Sequence, residues 1–130
     1  MSYTLTKPEG YQKVKLPGLT AWVKALRSGE YEQGYTYLCQ KDKYCCLGVL
    51  SKVQGRLVGG KDGGFGNGAG LSRSNPNYSI LETCGQLPMW CKVHKQGQEP
   101  QCLLAYVNDT LHLTFPEIAD ILEELYEEGE

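Results

Sequence analysis

The chain contains no run of 18 or more apolar residues, and no basic N-terminus leading into an apolar stretch with a small-residue cleavage site. Neither a membrane-spanning helix nor an export signal is visible, so the sequence predicts a soluble protein of the cytoplasm with no membrane partner. Arginine is scarce, present only as Arg27, Arg56 and Arg73, which leaves little for bidentate phosphate recognition. No C-x-x-C pair occurs, although structural zinc sites are usually built from two such knuckles. No Gly-Lys-Ser/Thr triplet occurs either, so the glycine-rich stretch of the chain is not a P-loop.

What is present fits one domain. A chain of 130 residues supports a single core that buries roughly two thirds of the surface exposed by the unfolded form. Six cysteines without an export signal read as reduced thiols, mostly buried as small hydrophobes. The vicinal Cys45-Cys46 pair supports this, because adjacent residues bridge only through a strained peptide. The formal charge of −2 conceals an asymmetry. Glu117, Asp120, Glu123, Glu124, Glu127, Glu128 and Glu130 fall in the last fourteen residues with no base among them. A mildly basic body therefore carries an acidic C-terminal helix over 117–130, whose plain reading is a solvated face and whose sharper reading is a mimic of nucleic-acid charge.

The densest chemistry lies between Tyr31 and Leu50. Tyr35, Tyr37 and Cys39 alternate with Thr36 and Leu38, the polar 40–43 stretch interrupts, and Tyr44-Cys45-Cys46-Leu47 resumes, which reads as a β-hairpin running into a short apolar helix. Residues 1–15 lack clear periodicity and read as an extended arm or edge strand. Leu19, Trp22, Val23 and Leu26 repeat at i, i+3, i+4 and i+7, between Pro17-Gly18 and Ser28-Gly29, as an amphipathic helix does. Seven glycines in the twelve residues 59–70 mark a flexible surface insert over 59–76, in which Phe65 is the residue able to close over a ligand. Ile80, Leu81 and Cys84 suggest a turn or two of helix, and Pro88 is placed to start another through Met89, Trp90, Val93 and His94. A further helix on Cys102, Leu103, Tyr106 and Val107 stops at Asn108-Asp109. Thr114-Phe115-Pro116-Glu117 is a capping box, followed by a buried face of Phe115, Ile118, Ala119, Ile121, Leu122 and Leu125.

Three constellations could carry chemistry. Cys46 near a helix N-terminus is the candidate nucleophile, with His94 or His112 and Asn108 or Asp109 as partners, for a small hydrolase or transferase. The plainer reading is a buried thiol. Cys84, Cys91 and His94 offer three soft metal ligands, with Cys39 or Cys102 as a fourth, but without paired knuckles. The stretch Leu113 to Leu122 looks like the first helix of a helix-turn-helix unit, yet acids follow where a basic recognition helix would stand, so DNA groove binding is not expected.

Taken together, Trp22-Val23-Lys24-Ala25-Leu26-Arg27-Ser28-Gly29-x-Tyr31-x-Gln33, Tyr44-Cys45-Cys46-Leu47-Gly48-Val49-Leu50, Leu87-Pro88, Asn108-Asp109 and Phe115-x-Glu117-Ile118-Ala119-Asp120 resemble an uncharacterised group of small proteins of bacteriophages and other mobile genetic elements. The resemblance spans about residues 16–125 and implies a genomic setting, not a mechanism. The glycine-rich insert and residues 94–100 depart from that pattern. The motif's polar members read plainly as a helix end and a turn. Their functional reading is a ligand-binding pocket beside Cys45-Cys46, formed by Arg27, Gln33, Tyr44, Asn108 and Asp109, with Phe65 as a lid. The expected fold is α+β, a single compact, mostly helical domain with one β-hairpin. The leading functional expectation is a non-enzymatic accessory protein that binds a host protein or a small signalling nucleotide, needs no cofactor, and serves counter-defence inside a bacterial host. Self-association into a homo-oligomer stays open, and the alternatives are the Cys46 enzyme and an acidic decoy of a nucleic-acid-binding host protein.

Overall fold

The computed structural model describes residues 3–35, 39–40, 43–53, 85–88 and 90–129. The glycine-rich insert with Phe65, the helical turn expected near Ile80, and Cys84 lie outside those residues. In chain order the described elements are β1 (Thr4–Thr6), β2 (Val14–Leu16), α1 (Leu19–Arg27), β3 (Glu32–Gln33), β4 (Cys39–Gln40), β5 (Lys43–Tyr44) and α2 (Cys46–Val53). They are followed by β6 (Lys92–His94), α3 (Leu104–Asp109), α4 (Phe115–Leu125) and β7 (Tyr126–Glu128). Helix and sheet are mixed, as an α+β domain requires. No helix among the described residues is long and apolar enough to cross a membrane.

The helices form where the apolar spacing places them. In α1, Leu19, Trp22, Val23 and Leu26 are all buried, and they pack against the stripe of Phe115, Ile118, Ala119, Ile121, Leu122 and Leu125 on α4. The capping box of α4 is complete: Thr114 Oγ1 accepts from the Glu117 N–H, while Glu117 Oε1 accepts from the Thr114 N–H at 2.9 Å. Between α1 and α2 the fully buried Trp22 indole N–H donates to the Cys46 carbonyl at 2.9 Å. Trp22 is thus a core anchor with its one polar atom satisfied. Helix α3 docks on α2, and its first N–H, on Leu104, donates to the Gly85 carbonyl at 2.8 Å. Gly85 has φ of 77°, and a Cβ there would come within 2.6 Å of Leu104 Cβ, so a side chain would push this segment off the helix start.

The strand content exceeds a single hairpin. The expected hairpin is present as β4–β5, but it belongs to a three-stranded sheet in which β3 pairs parallel to β5. The N-terminal arm forms two strands that each join a distant partner: β1 runs antiparallel to β6, and β2 runs parallel to β7. The helix expected from Pro88 to His94 is instead a turn, closed by the Cys91 N–H on the Pro88 carbonyl at 2.8 Å, followed by β6. Pairing with Thr4 to Thr6 supplies the ladder that holds this segment extended.

The acidic C-terminal helix expected over 117–130 ends at Leu125, where the chain turns extended and Tyr126 enters the core. Its acids are spent inside the molecule. Arg27 Nη2 donates to both Asp120 and Glu123, Lys7 pairs with Glu124, and Lys15 pairs with Glu127. These exposed pairs are each worth under about 1 kcal/mol. Glu128 does more, because its carboxylate accepts from the Gly18 N–H at 3.0 Å and the Thr20 N–H at 2.8 Å. Gly18, the residue that opens α1, has no side chain to cap the helix, and Glu128 supplies both the acceptor and the negative charge from the far end of the chain.

Replacing Glu128 with Ala should therefore lower unfolding stability by about 1 kcal/mol. The same change at Glu127, which holds only an exposed lysine, should cost much less. Urea unfolding of the two variants side by side checks this, and equal losses would remove the special role of Glu128.

Candidate functional site

Three segments meet behind the β3–β5 pairing. Gln33 follows Glu32 on β3, Asn108 and Asp109 end α3, and Leu113 lies on the approach to α4. Asn108 is fully buried, alone among polar residues in the described core. Its Nδ2 donates to the Gly34 carbonyl at 2.9 Å and to Asp109 Oδ1 at 2.8 Å, while its Oδ1 accepts from Gln33 Nε2 at 2.8 Å. Gln33 Nε2 also donates to the Leu113 carbonyl at 2.7 Å. Both amide hydrogens of Gln33 are thereby committed, which fixes its orientation and leaves Oε1 as an acceptor. Gly34 makes this approach feasible: its N–H donates to the Tyr44 carbonyl at 2.7 Å, and a Cβ would come within 2.8 Å of Lys43 Cβ.

In front of this clamp is a pocket of 190 Å³ lined by Gln33, Gly34, Tyr35 and Lys43. The Tyr35 ring is 42% exposed and lies 4.7 Å from the His112 ring at an angle of 54°. His112 has φ of 58°, in the left-handed region that histidine adopts more readily than most side chains. That conformation sends both neighbours, Leu111 and Leu113, into the core and turns the imidazole outward onto Tyr35. Lys43 sits on the rim in an exposed 3.5 Å pair with Glu32. The site offers an aromatic shelf, one oriented amide oxygen and one cation, a set suited to holding a planar anionic molecule.

The residues singled out from the sequence divide. Gln33, Asn108 and Asp109 come together as expected, with Tyr44 beside them through its carbonyl and through an edge-on ring contact with Tyr31 at 5.3 Å. Arg27 belongs to another contact, the bridge from α1 to Asp120 and Glu123. Phe65 falls outside the described residues. Tyr35, read from the sequence only as part of the hairpin alternation, lines this pocket, and His112, read as a candidate partner of Cys46, packs on its ring instead.

The thiols are placed for packing. Cys45 and Cys46 are both fully buried. Cys45 opens α2: its carbonyl accepts from the Val49 N–H, and its Sγ accepts from the Gly48 N–H at 3.4 Å, as an N-cap side chain does. Burial nevertheless pushes its pKa up to about 12, outweighing the lowering effect of that N–H, with the Asp109 carboxylate raising it further. Burial likewise raises Cys46 well above its usual range, with Cys45 and Asp109 adding to it. The Cys46 Sγ contacts the Leu104 carbonyl at 3.8 Å, whereas His112 is out on the surface against Tyr35. A nucleophile needs a reachable thiolate, and Cys46 provides neither access nor charge.

The metal reading took Cys84, Cys91 and His94 as three soft ligands, and the last two fall in the stretch where a helix was expected. They lie in an extended stretch instead, in which Cys91 and Val93 point inward while Lys92 is exposed. Residues three apart on a strand face opposite ways. Cys84, the third member, is outside the described residues, and among those described no cluster of three metal-ligating side chains occurs.

Two measurements follow. Asn108→Ala should cost on the order of 3 kcal/mol, because it strands the Gly34 carbonyl and one Gln33 N–H where Asn108 is buried. Denaturant unfolding reads this directly, and a loss comparable to that of an exposed polar substitution would refute the clamp. With iodoacetamide, the exposed Cys102 should be alkylated in the native protein, and Cys45 and Cys46 only once denaturant is added, as peptide mass mapping would report. Because the folded-state pKa of Cys45 is raised, the stability it contributes is complete below its ordinary 9.0 and is lost as pH climbs from there towards about 12. Thermal melts across that interval should decline, and less so in Cys45→Ala.

No curated protein and no solved structure matches this chain. A family model, the domain of unknown function DUF8296, matches residues 12–126, from the arm before β2 to the first residue of β7. That span takes in the Asn108 clamp, the Tyr35–His112 shelf and the helix core alike, so the chain belongs to the DUF8296 family.

Proposed function

We propose that the protein acts by binding, and that the pocket of Gln33, Gly34, Tyr35 and Lys43 takes a small, planar, anionic ligand of the nucleotide class. The observation that carries this reading is the half-exposed Tyr35 ring against His112, set beside an amide that the buried Asn108 holds in one orientation. A heterocycle would lie on the aromatic shelf, the Gln33 oxygen would accept from its edge, and Lys43 would meet the phosphate. At 190 Å³ the pocket has room for the base, with the charged end at the open rim.

A non-enzymatic role is supported by the burial of both vicinal thiols. The alternative of an acidic decoy is disfavoured by the internal commitment of Asp120, Glu123, Glu124, Glu127 and Glu128. The setting, an accessory protein of a bacteriophage or mobile element working in the cytoplasm of its bacterial host against defence, is supported by the motif resemblance.

Titration calorimetry with a panel of mononucleotides and cyclic dinucleotides tests the ligand class. A bound nucleotide should lose at least about tenfold in affinity in Tyr35→Ala, the scale of one base–aromatic stack, and should weaken with salt and in Lys43→Ala. Both side chains are exposed, so circular dichroism should be unchanged. If no nucleotide binds at millimolar concentration, or both variants bind as well as the wild type, the reading is wrong.

A further inference from the structure

The direction of the hydrogen bonds in the Asn108 clamp is set by two backbone carbonyls, which can only accept. A carboxamide can be turned over in place, exchanging its oxygen for its NH2 group, unless its neighbours forbid it. The Gly34 carbonyl lies 2.9 Å from Asn108, so the atom facing it is Nδ2, whose other hydrogen goes to Asp109. Asn108 Oδ1 is thereby turned to Gln33, at 2.8 Å. The Leu113 carbonyl stands 2.7 Å from the same Gln33 atom, so that atom is Nε2 by two independent constraints. Turning Gln33 over would set oxygen against oxygen at both contacts and lose two hydrogen bonds. Its amide hydrogens are spent inside the protein. The polar side-chain atom that Gln33 has left for the pocket it lines is Oε1, which no donor meets among the described residues. Donation by both N–H groups also polarises the amide and makes that oxygen a stronger acceptor.

The other lining groups do not read the pattern of a ligand's edge. Gly34 has its N–H on the Tyr44 carbonyl and its carbonyl on Asn108. The Tyr35 ring stacks on any base, since every base has a π-face, and its hydroxyl rotates to donate or accept as needed. Lys43, on a flexible stem and exposed beside Glu32, responds to charge. Discrimination between bases falls to one oxygen that accepts and cannot be exchanged for a donor.

We infer that Gln33 makes the pocket selective for a nucleotide whose base carries an exocyclic amino group, adenine or cytosine, over one carrying a keto oxygen in its place, hypoxanthine or uracil. This rests on the nucleotide reading of the pocket and narrows it. An amino group donates to Oε1. A keto oxygen at the same place sets two acceptors against each other, and Gln33 has no free hydrogen to turn towards it. A glutamine able to turn over would take either edge, so the selectivity originates in the carbonyls of Gly34 and Leu113 and reaches the pocket through Asn108 and Gln33.

Titration calorimetry with two matched pairs, AMP against IMP and CMP against UMP, tests this, because the members of a pair share shape and charge and differ at the amino or keto edge. The amino member should be favoured by at least about tenfold, the scale of one hydrogen bond replaced by opposed acceptors. Tyr35→Ala should weaken both members of a pair alike and leave their ratio unchanged. Gln33→Met, similar in length and without the oxygen, should bring the ratio close to one. That variant also gives up two bonds of the clamp, so circular dichroism checks its fold, and the wild-type ratio stands independently of it. Equal affinities within both pairs, or a preference for IMP and UMP, would overturn the inference and leave the nucleotide reading in place. A ratio that survives in folded Gln33→Met would assign the selectivity to another group and overturn it too. Binding of no nucleotide at all would overturn both.

Discussion

Asn108 imposes the constraint on which the surrounding architecture turns. A fully buried carboxamide is costly unless its hydrogen bonds are made, and here three are made, two to the distant Gln33 side chain and Gly34 carbonyl and one to the adjacent Asp109. Satisfying them requires the β3 strand to lie against the end of α3, which in turn requires a glycine at position 34 so that β3 can approach Lys43. Gln33 then carries the bond onward to the Leu113 carbonyl, just before α4 begins. The short parallel strand, the helix end and the turn through His112 are thus one unit, and the Tyr35 pocket is its outer face. The pocket inherits its order from the clamp behind it.

A second organising force is electrostatic and joins the chain's ends. The carboxylate-rich C-terminal segment is laid along the lysines of the N-terminal arm and against the uncapped start of α1. Single exposed ion pairs contribute little, but the Glu128 carboxylate meets two helix N–H groups that otherwise have only solvent. Strand pairing of β2 with β7 brings it there. An acidic tail that is read alone as a charged surface thereby becomes part of the pairing within the molecule.

The helices were legible in the sequence wherever a wide apolar stripe and local punctuation agreed. Leu19, Trp22, Val23 and Leu26 located α1, the Thr114–Glu117 box located α4, and Asn108-Asp109 marked the end of α3. The Gln33, Asn108 and Asp109 cluster was readable as a group of polar motif members, although Arg27 was drawn into it and in fact bridges to α4. The stretch from Pro88 to His94 was misjudged, because Met89, Trp90, Val93 and His94 fit a helical spacing while nothing local reveals that residues 4–6 wait to pair with them. The end of α4 was misplaced for the same reason: acids tolerate a helix, and only the ladder with β2 stops it at Leu125.

What the sequence by itself determined is therefore the set of interactions that close within one turn: helix stripes, caps, the sheet-to-helix corner at Cys45 and Cys46, and the reduced, buried character of those thiols. These are short-range consequences of apolar periodicity and of backbone groups finding partners a few residues away. Tertiary structure decided what depends on partners more than seventy residues apart, such as Gln33 with Asn108 and Gly18 with Glu128. Strand pairing and long-range carboxylate capping leave no local periodicity, since each half of the bond is an ordinary polar group until the fold brings the other half to it.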